Sequence, residues 1–289
     1  MALVLDKKNL DRISMSTNLP LIDVTRPLVT QLLTLSSSNA YESWMLDTIQ
    51  SSSGPINVKL FNSIHLERLS WTPWYLVPLV WLPLVFSCII YYIISSDHPS
   101  LKCGACLFSL GWFNWTLCEY LTHRFFFHAI PFDNGYSITI AFLSHGIHHL
   151  APHDEGRLVF PPILAAVIAL AFYFVFRLPF YSLSHPSYAL VFGGGLFGYV
   201  IYDCIHYGIH HSKLMSSFPP TRYLQQKHLA HHRLGNKGFG VSGPLWDEVF
   251  GTALPHKQAE SLKQSIVKEA IINPSSPSLL PQQEISKND

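Results

Sequence analysis

The chain contains 289 residues, of which 48% are hydrophobic and 13% are charged, and its formal net charge is +1. Soluble domains carry about 25% charged residues, so this composition excludes an ordinary soluble protein and indicates an integral membrane protein. The near-neutral charge also argues against a nucleic-acid partner, because binding to phosphates requires a basic face.

Residues 1–68 form a lead-in segment of mixed polarity. Its N-terminus lacks an apolar core followed by a small-residue cleavage site, which is the pattern of a secretory signal. We therefore expect this segment to remain in the cytosol. It contains enough apolar residues for short helices that lie against a membrane, but too few for a core of its own.

Four apolar segments follow, at about residues 72–95, 103–121, 160–180 and 187–206. A helix needs about 20 apolar residues to cross the hydrocarbon core of a bilayer. Short connections near residues 96–102 and 178–186 join these segments in pairs. The only lysine or arginine within the connections is Lys102, so the positive-inside rule places both termini in the cytosol.

The predicted fold is therefore all-α, an integral membrane domain over residues 69–255 with four transmembrane helices in two hairpins. The tail that follows, residues 256–289, is polar and contains the stretch Asn-Pro-Ser-Ser-Pro-Ser. This composition predicts disorder.

Histidines are concentrated in the second half of the chain: 13 of the 16 lie between His123 and His232. The predicted topology places them at the cytosolic end of a span or in a cytosolic segment, so that sequence-distant clusters reach one membrane face. Four clusters can be distinguished, which are His123/His128, His145/His148/His149, His206/His210/His211 and His228/His231/His232.

Helical spacing selects the candidate ligands within these clusters, since side chains three and four residues apart share a face. His211 is five residues after His206 and points away, so we leave it out. His123 and His128 are also five apart, and their convergence requires a local bulge or a helix end. His153 stays undecided. We interpret the isolated histidines as structural residues, namely His65, His98, His185 and His256.

Ten imidazoles exceed the four ligands of a structural zinc site and suit two metal ions with about five rings each. Nitrogen-rich ligation favours iron, zinc or copper. A pair of irons explains the number best, because two irons can share the electrons that reduce dioxygen; zinc can occupy the same site in isolated protein. Asp154 and Asp203 are candidates for orienting the rings. The predicted ligands are His123, His128, His145, His148, His149, His206, His210, His228, His231 and His232.

Several motifs resemble the membrane fatty acid hydroxylase superfamily, and more narrowly the fatty acid 2-hydroxylases of sphingolipid synthesis. They are HRFFFHAI, HGIHHLAPHD, RLVFPP, YDCIHYGIHH, KHLAHH and FGVSGPLWDEVFGT. The likeness covers roughly residues 20–255. It implies an endoplasmic reticulum enzyme with four transmembrane helices and a cytosolic helical cap that holds the di-metal site. It also implies hydroxylation at C2 of the acyl chain of ceramide or dihydroceramide, the same ten ligands, and Tyr202 and Asp203 as residues that shape the site.

Fungal and animal members of that family often carry a fused cytochrome b5 domain with a His-Pro-Gly-Gly haem motif, and this sequence contains no such motif. We therefore expect no bound haem or flavin. The resemblance then implies electrons from a separate cytochrome b5 and its NADH-dependent reductase. Two alternatives stay open: a sterol oxidase or desaturase of the same superfamily, and a divalent-metal transporter, whose site would lie near the bilayer midplane.

Overall fold

The computed structural model describes residues 22–51 and 56–255, together with residues 257, 261 and 264. Every regular element within these residues is a helix, as the composition predicts. Residues 1–21 of the lead-in segment and most of the predicted tail lie outside the described residues. In chain order the elements are α1 (Leu28–Leu32), α2 (Ser38–Ser51), α3 (Ile64–Leu69), α4 (Leu76–Ser95), α5 (Leu101–Thr122), π1 (His123–Phe127), α6 (Gly135–Ala141), π2 (Phe142–Gly146), α7 (Ile147–Leu150), α8 (Pro162–Arg177), α9 (His185–His211), α10 (Leu214–Ser217), α11 (Pro219–Leu234) and α12 (Leu245–Val249).

Each of the four predicted spans corresponds to a helix, namely α4, α5, α8 and α9. Of these, α4 and α9 are long and apolar enough to cross a membrane. Helix α5 is 22 residues long but includes Lys102, Asn114 and Glu119, which lower its hydropathy. Helix α8 has 16 residues. The two-hairpin, four-span topology therefore stays a prediction.

Serine caps begin the second helix of each predicted hairpin. The Ser100 hydroxyl accepts a hydrogen bond from the Cys103 amide, 3.4 Å away, and the Ser184 hydroxyl accepts one from the Ser187 amide, also 3.4 Å away. Such caps satisfy amide groups that have no partner within the helix. They fix where α5 and α9 begin.

Helices α5 and α9 touch backbone to backbone through glycines. A Cβ atom on Gly111 would lie 1.8 Å from the carbonyl oxygen of Val191, and one on Gly194 would lie 2.0 Å from that of Phe108. Small residues permit this close approach between helices. Helix α9 thereby lies at the centre of the bundle, with histidines in its last turns.

The described part of the lead-in segment packs against the helices that carry the second histidine cluster. Leu28, Leu32 and Met45 share a core with Phe142 and Leu150. Arg157 joins the two parts as well: its guanidinium donates to the Val58 carbonyl at 3.1 Å and forms ion pairs with Glu67 and Asp154. The lead-in segment thus supports the histidine region from one side.

Candidate metal centre

The first histidine pair converges through a π-helical turn. In π1 the His128 amide donates to the His123 carbonyl, five residues back, at 3.1 Å. This wider turn brings positions five apart to the same side of the helix. The two ring centroids are 5.1 Å apart, so the bulge that the spacing required is present.

The ring nitrogens of the ten predicted ligands fall into two groups of five, and within each group the nitrogens lie within 4.8 Å of one another. The first group comprises His123, His128, His145, His149 and His231, and the second comprises His148, His206, His210, His228 and His232.

The clusters of three histidines contribute to both groups. His145 and His149 belong to the first group, whereas His148 belongs to the second. Successive residues of an α-helix differ by about 100°, so neighbouring rings diverge enough to reach two different centres. The cluster at residues 228–232 divides in the same way. In both clusters, the two histidines four residues apart belong to the same group, and the remaining histidine belongs to the other group.

Four Nε2 atoms of the second group form a closed ring. The distances are 3.0 Å from His206 to His148 and to His228, 3.0 Å from His228 to His232 and 2.9 Å from His232 to His148. An imidazole nitrogen carries either a proton or a lone pair, so hydrogen bonds cannot serve all four contacts well. The corners of a square with such edges lie about 2.1 Å from its centre, the length of a metal–imidazole bond. The donor set therefore fits a metal ion.

The first group has the same spacing around one of its rings. The Nε2 atom of His145 lies 3.0 Å from the Nε2 atoms of both His123 and His149. Two further Nε2 atoms, those of His128 and His231, are buried and have no hydrogen-bond partner among the described residues. Unpartnered nitrogens that face a common point are ready to bind a cation.

Burial keeps these rings in the neutral state that binds metals. It lowers the pKa of His228, His231 and His232, and nearby imidazoles lower it further. The pKa of His149 falls to about 3 for the same two reasons. At neutral pH these rings are therefore uncharged, with a lone pair available for ligation.

Two rings of the first group are oriented by backbone carbonyls that the sequence did not reveal. The Nδ1–H of His123 donates to the Phe239 carbonyl, and that of His231 donates to the Lys237 carbonyl at 2.8 Å. These bonds leave Nε2 as the ligating atom. Phe239 is the first residue of the FGVSGPLWDEVFGT stretch and Lys237 lies two residues before it; that motif supported the resemblance without a role of its own.

The candidate carboxylates and the tyrosine differ in position. The Tyr202 ring lies 5.7 Å from the ring of His206 and 6.0 Å from that of Trp115. Asp203 is buried, and its Oδ2 atom has no hydrogen-bond partner among the described residues. Asp154 accepts from Arg157 at 2.6 Å and from the Gly156 amide at 3.1 Å, which ties its carboxylate to the network that holds the lead-in segment.

His211 and His153 belong to neither group. The His211 ring stacks on Tyr207 with centroids 4.5 Å apart and lies 6.2 Å from the His153 ring. Helical spacing left His211 out of the predicted ligand set, and the structure likewise places it outside both groups.

The chain belongs to the fatty acid hydroxylase family: residues 108–252 match the family's profile, described as Fatty acid hydroxylase. The resemblance stated from the motifs is confirmed, and the protein is an enzyme of that family.

Individual relatives are similar over most of the chain. It is 39% identical over 249 residues to the Arabidopsis thaliana dihydroceramide fatty acyl 2-hydroxylase FAH1, covering 84% of this chain and 97% of the relative. It is 41% identical over 243 residues to the Saccharomyces cerevisiae ceramide very long chain fatty acid hydroxylase SCS7, covering 81% and 59%. The solved structure of full-length scs7p, with only the hydroxylase domain visible, superposes with a TM-score of 0.70 at 35% identity, covering 85% of this chain and 93% of that one.

Proposed function

We propose that the protein is a di-iron membrane monooxygenase that hydroxylates C2 of the long or very long fatty acyl group of ceramide or dihydroceramide. The observation that carries this proposal is the pair of five-imidazole groups. Two similar proteins named as fatty acyl or ceramide hydroxylases support the choice of substrate. Imidazole nitrogen suits iron, a metal that can pass electrons to dioxygen.

Iron at the two groups would supply the oxidising chemistry: with two electrons and two protons, one atom of O2 enters the C–H bond and the other leaves as water. The ten histidines would hold the metals, with the ligating nitrogens of His231 and His123 oriented by the carbonyls of Lys237 and Phe239. The protein otherwise aims the substrate, so that one carbon of a long chain is presented to the site.

We assign substrate recognition to Tyr202 and Asp203, which precede His206 of the second group in α9. Asp203 would accept a hydrogen bond from a hydroxyl or amide of the lipid at its buried Oδ2 atom, beside the Tyr199 hydroxyl. Tyr202, which lies between Trp115 and His206, would pack against the acyl chain beside C2. These contacts would set which carbon meets the metals.

Electrons would come from cytochrome b5 and its NADH-dependent reductase as separate proteins. This proposal rests on the sequence, in which the His-Pro pairs are followed by serine rather than by the two glycines of the haem motif.

We propose four spans in the endoplasmic reticulum membrane, with both termini in the cytosol. The length and the exposed surface of α8 bear on whether this helix can be one of the spans. Helix α8 measures about 24 Å at 1.5 Å per residue, somewhat less than a hydrocarbon core of about 30 Å. It exposes Ile163, Leu170 and Phe174, and the following turn exposes Leu178 and Tyr181, which extends the apolar surface. A glycosylation site inserted at residues 178–186 should be modified, and one in the tail should not.

Lipid mass spectrometry tests the reaction directly. Cells that lack their own 2-hydroxylase would express either this chain or His148→Ala with cytochrome b5, under labelled dioxygen. We expect labelled 2-hydroxy ceramide only with the intact chain. A hydroxylated or desaturated sterol would favour the other branch of the superfamily, and metal uptake without any lipid product would favour transport.

A further inference from the structure

A short loop between α11 and α12, the carbonyl loop Lys237–Gly243, reaches the first histidine group twice. The Lys237 carbonyl accepts from His231, and the Phe239 carbonyl accepts from His123. Gly238 lies between them with φ of 74°, a left-handed conformation that L residues rarely adopt. This conformation sets the angle between the two flanking carbonyls.

A buried carboxylate of the membrane bundle fixes one end of the carbonyl loop. Glu119 of α5 accepts hydrogen bonds from the backbone amides of Val241 at 2.6 Å and Ser242 at 2.8 Å, and also from the Ser242 hydroxyl. The Glu119 carboxylate therefore accepts hydrogen bonds from backbone amides instead of forming an ion pair with a described residue. An apolar residue here would leave two amides without a partner.

A buried ion pair fixes the other part of the loop. Asp247 accepts from the amides of Phe239 at 2.8 Å and Gly240 at 3.0 Å, and from the Lys227 ammonium at 3.0 Å. Lys227 donates in turn to the carbonyls of Gly240 and Gly243. Both charges are almost fully buried. Buried pairs often add little net stability, so the consequence we draw from this one is positional.

Four of the five rings in the second histidine group have no comparable support among the described residues. The Nδ1 atoms of His148, His210, His228 and His232 lack hydrogen-bond partners among the described residues. Partners of this kind typically change metal affinity by about 10–100-fold. The two groups therefore differ in how their rings are held.

We propose that the carbonyl loop, fixed by Glu119, Lys227 and Asp247, is a positioning element for the first metal position and leaves the second position unaffected. This inference rests on the proposed metal-binding function. Glu119 and Asp247 act through the loop and through His123 and His231, not on the substrate.

The chain offers a matched pair of glycines for the test. Gly251 also has a positive φ, 69°, and a Cβ there would meet nothing within 4 Å. Gly238→Ala and Gly251→Ala therefore carry similar backbone strain, although a Cβ on Gly238 would also lie 2.9 Å from the Leu254 Cδ1 atom. Only Gly238 lies between the two carbonyls that accept from the histidines. Both variants would be loaded with Co²⁺, whose visible absorption depends on ligand geometry, and titrated with a chelator.

We expect wild type and Gly251→Ala to retain two Co²⁺ per chain at equal affinity. Gly238→Ala should lose one with about 10–100-fold weaker binding and an altered absorption band. Adding His206→Ala to Gly238→Ala should remove the remaining metal, whereas adding His123→Ala should cause no loss beyond that of His123→Ala alone. The second variant, Glu119→Leu, removes the acceptor of the Val241 and Ser242 amides, and it should show the same selective loss.

Folded Gly238→Ala and Glu119→Leu proteins with both metals at wild-type affinity would overturn the inference, as would equal weakening of both positions. A wild-type chain that binds no metal would instead refute the proposed function itself. The two failures are thus distinguishable without any measurement of lipid turnover.

Discussion

The imidazole rings of His149 and His232 stack with centroids 4.2 Å apart and an interplanar angle of 24°, although they belong to different groups of five. The two candidate metal positions are therefore adjacent, with a ligand ring of one group packed on a ligand ring of the other.

Replacing one ligand of either group should stop the reaction. In His148→Ala and His231→Ala we expect 2-hydroxylated product to fall to background, with loss of metal from the affected group, because each metal loses one of its imidazoles. Lipid mass spectrometry and metal analysis of the purified variants measure both effects. His211→Ala is the control, since that ring lies outside the groups; retained hydroxylation in both ligand variants would contradict the di-metal proposal.

Metal exchange should separate binding from chemistry. After removal of metal by a chelator, we expect Fe²⁺ to restore hydroxylation and Zn²⁺ to occupy the groups without restoring it, because zinc has no redox chemistry. Turnover and metal content would be measured on the same samples. Full activity with zinc alone would rule out the iron-based mechanism.

Asp203→Asn should impair turnover while the protein keeps its metals. The substitution replaces one oxygen of the buried carboxyl group with an amide group that donates, and a typical hydrogen bond contributes about 0.5–1.5 kcal/mol, which corresponds to roughly 2–13-fold in rate or affinity. Product formation per bound metal is the readout. If metal content fell in parallel with activity, the residue would act on the ligands and not on the substrate.

Gly194→Ala should destabilise the helix bundle. Its Cβ would lie 2.0 Å from the Phe108 carbonyl oxygen, and such overpacking costs about 1–3 kcal/mol. Thermal unfolding in detergent should show the loss. Gly195→Ala is a matched control in the same helix, because its Cβ would be 3.6 Å from the nearest atom; equal melting temperatures for the two variants would argue against the close contact.

Arg157→Ala should release the lead-in segment. The change leaves the largely buried carboxylates of Glu67 and Asp154 without their cation, and breaking a buried pair costs about 3–5 kcal/mol. Limited proteolysis should cut residues 56–68 faster in the variant. Arg26→Ala breaks an exposed pair with Asp23 and should change the cleavage rate little.

The sequence predicted which histidines come together, because the periodicity of a helix is a local property. It did not predict that His148 and His231 cross to the other group from their neighbours, since that depends on where distant helices pack. The carbonyl contact between His123 and Phe239 joins residues 116 apart and has no local signal. Glu119 was included in a predicted span despite its charge, and the loop amides that accommodate it are tertiary contacts.

The glycine contact between α5 and α9 has a mechanical consequence. Gly111 and Gly194 each precede a histidine, His123 and His206, by 12 residues of uninterrupted helix, which is about 18 Å of rise. The angle at which the two helices cross at this contact therefore determines where the ligands at their ends, His123 and His206, are positioned. A change of about 5° in the crossing angle would displace the histidine at the end of a helix by roughly 1.6 Å. Misplacement of a catalytic group by about 1 Å can lower the reaction rate about 100-fold. The packing of the helix bundle, about 18 Å from the ligands, therefore determines how precisely the candidate metal centre is positioned.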